Sequence, residues 1–246
     1  MCIAKNDDIF IADYENMSLK CLRKQDGGLV TGIKFEGKPC HICMLGDNEV
    51  LVCLEEQSFF GKQYKLASVR VDPNQLRLNH NSKRLSHNCG GLAANNNKVY
   101  VSDAKKTVHV YQLPGFSSYS TEPYFMNCRI MGFSKDMNTL LVINGEKGLY
   151  LWNVNTESKT SEKFEFPIDK IQTFSVVDHG KVFLVDDQVR EIQISATRKV
   201  LSMKTHDLGN VVNIQALCYN SRDKTLIIAT RKSNTLIVRK IEVLEH

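Results

Sequence analysis

Short apolar runs separated by polar turns recur along the whole chain. The stretch from Cys89 to Gly115, CGGLAANNNKVYVSDAKKTVHVYQLPG, holds a run of small residues, an apolar run that ends in aspartate, and an alternating run. Alternation with period two is typical of a strand with one buried and one wet face, whereas a fully apolar run is typical of a strand buried on both faces. No segment keeps a helical period, so the pattern predicts an all-β chain.

The apolar run KVYVSD has counterparts along the chain and marks an internal repeat. These runs end at Asp13, Leu54, Asp103, Asn144, Asp186 and Thr230, with successive spacings of 41, 49, 41, 42 and 44 residues. A period of about 40 residues with several short strands per unit is typical of a β-propeller. The sequence therefore predicts one six-bladed propeller domain over residues 1–243, with blades near 1–36, 37–86, 87–125, 126–167, 168–208 and 209–243.

Two places depart from a regular blade of four strands. The wide second interval contains EEQSFFGKQY, residues 55–64, which we interpret as a longer turn inserted into that blade. The sixth blade has too few residues for a fourth strand. It either has three strands or takes its fourth strand from residues upstream of Met1. We favour the second alternative, which predicts that the chain is a domain of a longer protein.

Composition changes this picture little. The net charge is +5 and the sequence pI is about 8.7, below the pI above about 9 that is expected of a dedicated nucleic-acid-binding domain. No apolar run approaches the roughly 20 residues of a membrane span, and the start MCIAKNDD lacks a signal-peptide pattern. We expect a cytoplasmic domain without membrane contact, and interpret residues 244–246, LEH, as a vector-derived tail.

The cysteines raise the question of a metal site. Most of the 8 cysteines lie in apolar runs, as expected of buried free thiols in a cytosolic domain. In PCHICML, Cys40 and Cys43 would point to opposite faces of a regular strand. Because no second CxxC pair is available to complete a zinc site, the sequence predicts no metal and no other cofactor.

The aspartates that end three of the apolar runs occupy equivalent blade positions. Asp13, Asp103 and Asp186 are predicted to cap the following turns by accepting backbone N–H bonds. The alternative is a ring of carboxylates that holds a metal in the central channel. The sequence lacks the common hydrolase and nucleotide-binding motifs, and His87 beside Cys89 has no orienting acid. We therefore predict no enzymatic activity.

Basic and aromatic residues are predicted to gather on one rim of the disc, where the turns between second and third strands meet the loops between blades. A cluster of cations there would create a local positive field. Such a surface suits a protein partner and equally suits single-stranded RNA. Phe59 and Phe60 either tuck onto a neighbouring blade or anchor a partner. The predicted rim residues are Lys105, Lys106, Lys147, Arg231, Lys232, Lys83, Arg84, Phe59 and Phe60.

Several repeats resemble a known family. GGLAANNNKVYVSDAKKTVHVYQLPG resembles an NHL repeat, as do DIFIADYENMSLKCL and KVFLVDDQVREIQI, whereas IMGFSKDMNTLLVINGEKGLYLWNVNTE is closer to a WD blade. The chain as a whole resembles the NHL-like propellers of TRIM-type RING ubiquitin ligases. Leu54, Asn144 and Thr230 depart from the aspartate of that pattern.

The resemblance implies a function and an oligomeric state. It implies a non-catalytic module that recognises a substrate protein or RNA, with the RING domain outside this chain. The coiled coil through which such ligases pair is also outside it, so we expect an isolated monomer. Six-bladed propellers also include calcium-dependent hydrolases, which remain an alternative.

Overall fold

A computed structural model describes most of the chain. Its described residues are 1–23, 28–73, 75–95, 97–105, 107–123, 128–133, 138–144, 148–154, 162–165, 171–176, 181–186, 188–194, 200–208, 211, 213–230 and 236–241. The regular elements of these residues are all β-strands. No helix among them has the length and apolarity needed to cross a membrane.

The chain forms two compact units, Met1–Met131 and Gly132–His246. The first unit contains three antiparallel sheets of four strands, each strand pairing with the next in sequence. Their strands are β1 (Cys2–Ile3), β2 (Ile9–Asp13), β3 (Ser18–Leu22), β4 (Leu29–Lys34); β5 (Lys38–Met44), β6 (Glu49–Ser58), β7 (Gly61–Asp72), β8 (Gln75–Leu85); and β9 (Gly91–Asn95), β10 (Lys98–Ser102), β11 (Thr107–Gln112), β12 (Ser117–Pro123).

The remaining sheets follow the same sequential order. They comprise two sheets of four strands and one of three. Their strands are β13 (Cys128–Phe133), β14 (Thr139–Asn144), β15 (Gly148–Asn153), β16 (Glu162–Glu165); β17 (Thr173–Val176), β18 (Lys181–Val185), β19 (Val189–Ile194), β20 (Val200–His206); and β21 (Ile214–Asn220), β22 (Thr225–Thr230), β23 (Leu236–Lys240).

This succession of small antiparallel sheets is all-β and propeller-like, as the repeat predicted. The structure supports the propeller-like arrangement but not the predicted count of six complete blades. The described residues form five four-stranded sheets, and the last sheet has three strands. In the described residues the last sheet consists of β21, β22 and β23, and a fourth strand supplied from upstream of Met1 stays a prediction.

The apolar strand β6 is buried on both faces because its alternate side chains enter two different cores. In β6, Val50, Val52 and Leu54 pack with Phe10 and Leu19 of the first sheet. Side chains on the opposite face of β6 pack with the third sheet. This second core includes Leu51, Cys53, Leu66, Leu92, Val99, Val101 and Tyr111. Each fully buried side chain of this kind contributes about 1.5–3 kcal/mol.

The second unit has a core of the same kind, between its last two sheets. β18 and β22 again supply the apolar runs, and β21 packs against β17. The core residues are Phe183, Val185, Val189, Ile214, Leu217, Leu226, Ile228 and Ile241.

The long turn predicted at 55–64 is instead an extension of two paired strands. Cross-strand pairing continues from Glu55 opposite Tyr64 to Ser58 opposite Gly61, so only Phe59 and Phe60 form the loop. Gly61 has a φ of +112°, which a residue with a Cβ rarely adopts. Of the polar residues that are typical of a loop, Gln57 and Lys62 are here exposed strand positions, whereas Glu55 is half-buried.

The loop predicted before the third blade is shorter than expected, because β8 extends to Leu85. Lys83 lies opposite Leu66, and Arg84 lies opposite Lys65. These two predicted rim residues are therefore on an edge strand rather than in a loop. The long partner strand β7 provides the backbone groups that hold them there.

Candidate functional site

The tip of the β6–β7 hairpin carries two aromatic side chains in water. Phe59 is 98% exposed and Phe60 is 93% exposed. Their ring centroids lie 5.5 Å apart in an edge-to-face arrangement. Of the two alternatives left by the sequence, tucking onto a neighbouring blade is therefore not observed.

A polar cluster supports the base of this hairpin. The Glu55 carboxylate accepts hydrogen bonds from Tyr14 Oη at 2.9 Å and Tyr64 Oη at 3.3 Å, and Lys62 Nζ lies 3.0 Å from it. The bond to the Glu55 carboxylate raises the pKa of Tyr14. Because Tyr14 follows β2 in the first sheet, the cluster ties the root of the hairpin to a second sheet.

Only three of the predicted rim cations, Lys83, Arg84 and Lys105, are among the described residues. Lys105 is exposed, Lys83 is half-buried, and exposed Arg84 lies 3.8 Å from the Glu56 carboxylate. The other predicted cations lie outside the described residues; they are Lys106, Lys147, Arg231 and Lys232. Their role in binding stays a prediction.

The three repeated aspartates cap their own turns, which confirms the prediction. Asp13 Oδ1 accepts a bond from the N–H of Asn16 at 3.1 Å. Asp103 Oδ1 accepts bonds from the N–H groups of Lys105 at 2.8 Å and Thr107 at 3.0 Å. In the second unit, Asp186 Oδ1 accepts a bond from the N–H of Gln188 at 2.8 Å. Each carboxylate thus has a local structural role.

Two histidines stack beside the third sheet. The rings of His87 and His109 are 3.5 Å apart and nearly parallel. His87 Nε2 lies 2.7 Å from Tyr111 Oη, and its Nδ1 lies 2.6 Å from the Asn88 carbonyl. Since both ring nitrogens have these neighbours, and Cys89 Sγ donates instead to the Gly91 carbonyl at 3.8 Å, the structure does not form a thiol–imidazole pair.

We expect the stacked histidines to make the chain less stable in mild acid. Burial lowers the pKa of both His87 and His109, and the neighbouring His87 lowers the pKa of His109 further. The unfolded chain then takes up protons first, near pH 6.5, so the free energy of unfolding falls as pH decreases through that value. Melting temperatures measured between about pH 7.5 and 5 would show this slope.

A matched variant isolates the histidines from other titrating groups. The double variant His87→Asn/His109→Gln removes both imidazoles and retains polar side chains at both positions. Its melting temperature should vary less with pH above about 5, where most carboxylates stay ionised. An equal slope in the two proteins would contradict the assignment.

Three thiols converge in the core between the second and third sheets. The Sγ atoms of Cys40, Cys53 and Cys89 all lie within 4.8 Å of one another. Cys53 and Cys89 are buried and Cys40 is half-buried. Hydrogen bonds from the Cys53 and Cys89 side chains lower the pKa of the Cys40 thiol. Burial raises the pKa of the Cys53 and Cys89 thiols.

The sequence argument against neighbouring thiols fails at a β-bulge. Along β5, Pro39 pairs with Leu54 and His41 pairs with Cys53, so Cys40 is an extra residue without an opposite partner. A bulge shifts the alternation of side chains between faces. As a result Cys40 and Cys43 pack against the same core, and Cys40 Sγ donates to the Cys53 carbonyl at 3.3 Å.

Comparisons with known proteins extend the description of the fold. No family model and no curated protein matches the chain. Among solved structures, 1152 chains match it. One is the crystal structure of a functionally unknown protein from Desulfotomaculum acetoxidans DSM 771, with a TM-score of 0.66 and 8% identity, covering 95% of this chain and 75% of that one.

At 8% identity the likeness shows the fold alone, and that fold is β-propeller-like. Because one fold hosts many functions, the fold alone does not determine the function of this chain.

Proposed function

We propose that this chain is a non-catalytic recognition module that binds a protein partner through the tip of the β6–β7 hairpin. The observation that carries the proposal is the exposure of Phe59 and Phe60, 98% and 93%, on a hairpin whose base is tied to the first sheet. Large apolar side chains held in water are costly unless a partner covers them. Aromatic anchors of this kind often contribute most of the energy of an interface.

The charges around the hairpin favour a protein over RNA. Lys62 faces the Glu55 carboxylate at 3.0 Å, and Arg84 faces Glu56 at 3.8 Å. RNA binding needs cations that are available for phosphate groups. An apolar tip above paired charges fits a protein pocket with a polar margin.

We extend the proposal to the type of propeller and to the kind of protein that contains it. The repeat spacing and the turn-capping aspartates support an NHL-like propeller, with the three-stranded sheet as an incomplete sixth blade. The resemblance to TRIM-type ligases makes the module the substrate-recognition part of a RING ubiquitin ligase. In this proposal ubiquitin transfer occurs on a domain outside the chain, and the partner is the ligase substrate.

Selection of displayed peptides on the purified chain tests the hairpin as the binding surface. Peptides enriched on the wild-type chain should bind the Phe59→Ser/Phe60→Ser variant about 30-fold or more weakly, because interface anchors contribute about 2 kcal/mol or more. Calorimetric titration measures the affinity. The variant should keep the wild-type melting temperature, since neither ring contributes to a core.

A control variant and an RNA titration sharpen the test. Leu29→Ser removes another exposed apolar side chain, 63% exposed on β4, and should leave peptide affinity unchanged. Selected peptides that bind the phenylalanine variant as tightly as the wild type would contradict the proposal. Tight binding of a single-stranded oligoribonucleotide at low salt, undiminished in that variant, would favour RNA recognition instead.

A further inference from the structure

We propose that Cys40, Cys53 and Cys89 form a binding site for one thiophilic metal ion of the Zn²⁺ class. The site lies in the core between the second and third sheets, below the root of the hairpin. It is independent of the function proposed for the hairpin tip.

The spacing of the sulfur atoms fits such an ion. All three Sγ atoms lie within 4.8 Å of one another. Zn–S bonds of about 2.3 Å place two thiolates of a tetrahedral site roughly 3.8 Å apart. Bringing sulfur atoms that are up to 4.8 Å apart to this separation requires side-chain movement of about 1 Å. Three protein ligands then leave one coordination position for water or a further ligand.

The ligand type also determines the class of ion. Thiolates select soft or borderline ions such as Zn²⁺ and Cu⁺ over Mg²⁺ and Ca²⁺. Three anionic sulfur atoms in an apolar core would be strongly unfavourable without a cation. A divalent ion leaves less uncompensated charge in that core than a monovalent ion, which favours Zn²⁺ over Cu⁺.

The backbone holds the three thiols from separate segments. The bulge in β5 places Cys40 near β6, which carries Cys53. Cys89 precedes β9, where the Gly90 N–H donates to the Ser102 carbonyl at 2.7 Å. An ion bound by all three would therefore cross-link the second and third sheets and raise the stability of the first unit.

Cobalt provides a direct spectroscopic test, because Co²⁺ replaces Zn²⁺ at thiolate sites and gives a thiolate-to-metal charge-transfer band. Reduced, metal-free protein titrated with Co²⁺ without oxygen should show this band at one ion per chain, and Zn²⁺ should displace it. Single variants Cys40→Ser, Cys53→Ser and Cys89→Ser should bind at least about 100-fold more weakly, since even an outer-shell partner contributes about 10–100-fold.

Cys43→Ser is the matched control, because Cys43 packs on the same core but lies outside the group of three. It should keep the band. Since serine at a buried site can unfold the chain, Zn²⁺ is also added in melting experiments. It should raise the melting temperature of the wild type and of Cys43→Ser, and not that of folded variants at the three sites. Absence of the band in the reduced wild type, or its equal loss in Cys43→Ser, would overturn the proposal.

Discussion

Replacing Gly90 with alanine is expected to lower the free energy of unfolding of the first unit by about 3 kcal/mol, near the upper end of measured overpacking effects. An added Cβ would lie 2.3 Å from Ala104 Cβ, 2.7 Å from its Cα and 2.9 Å from its backbone nitrogen. Backbone atoms cannot rotate away as a flexible side chain can, so the segment at Gly90 or the turn at Ala104 must move. Urea unfolding followed by far-ultraviolet circular dichroism measures the loss.

Two further variants separate this steric effect from the general loss of a glycine. Gly46 has a φ of +68° and nothing within 4 Å of an added Cβ, so Gly46→Ala should cost only about 1 kcal/mol of backbone strain. Adding Ala104→Gly to Gly90→Ala should recover part of the stability, because one of the close contacts disappears. If the Gly90→Ala and Gly46→Ala variants have the same urea midpoint of unfolding, the steric explanation is contradicted.

The same substitution would disturb the thiol site. Gly90 follows Cys89 directly, and its N–H is bonded to Ser102 in β10. Displacement of this segment therefore moves one of the three sulfur atoms away from the other two. The backbone position of Gly90 thus affects both its hydrogen bond to Ser102 and the position of the Cys89 Sγ relative to the other two thiols.

The strands were predictable from the sequence because their signals are local. In the run KVYVS, Val99 and Val101 lie in the same core, as period-two packing requires, and the aspartate that follows caps a turn within four residues. The hairpin extension was missed because Glu55, Gln57 and Lys62 are equally typical of a loop. Pairing across the hairpin is what makes them strand residues.

The thiol cluster was not predictable from spacing, because it depends on contacts between distant segments. Cys53 and Cys89 are brought together by the packing of two sheets, and the bulge at Cys40 depends on its pairing with β6. The signal available in the sequence was the recurrence of cysteine within neighbouring apolar runs. Only the register of the strands shows which of these thiols share a face.

Polar residues in an alternating strand can likewise be misassigned to the wet face. Glu191 belongs to REIQIS in β19, yet its side chain is only 5% exposed. Its carboxylate Oε2 lies 2.9 Å from Nε2 of His206 in the outer strand β20. The ring of His206 packs 5.5 Å from Phe183, which belongs to the core of the second unit. A buried polar pair therefore occupies a position that the pattern assigns to solvent.

Replacing His206 with alanine is expected to cost about 3–5 kcal/mol, because it leaves the buried Glu191 carboxylate without its imidazole partner. The double variant Glu191→Gln/His206→Gln should cost much less, since two amides can keep a hydrogen bond without a buried charge. Fluorescence of the single tryptophan, Trp152, reports urea unfolding of the second unit. If the single and double variants lose equal stability, the cost comes from lost packing against Phe183, and the buried charge is not its cause.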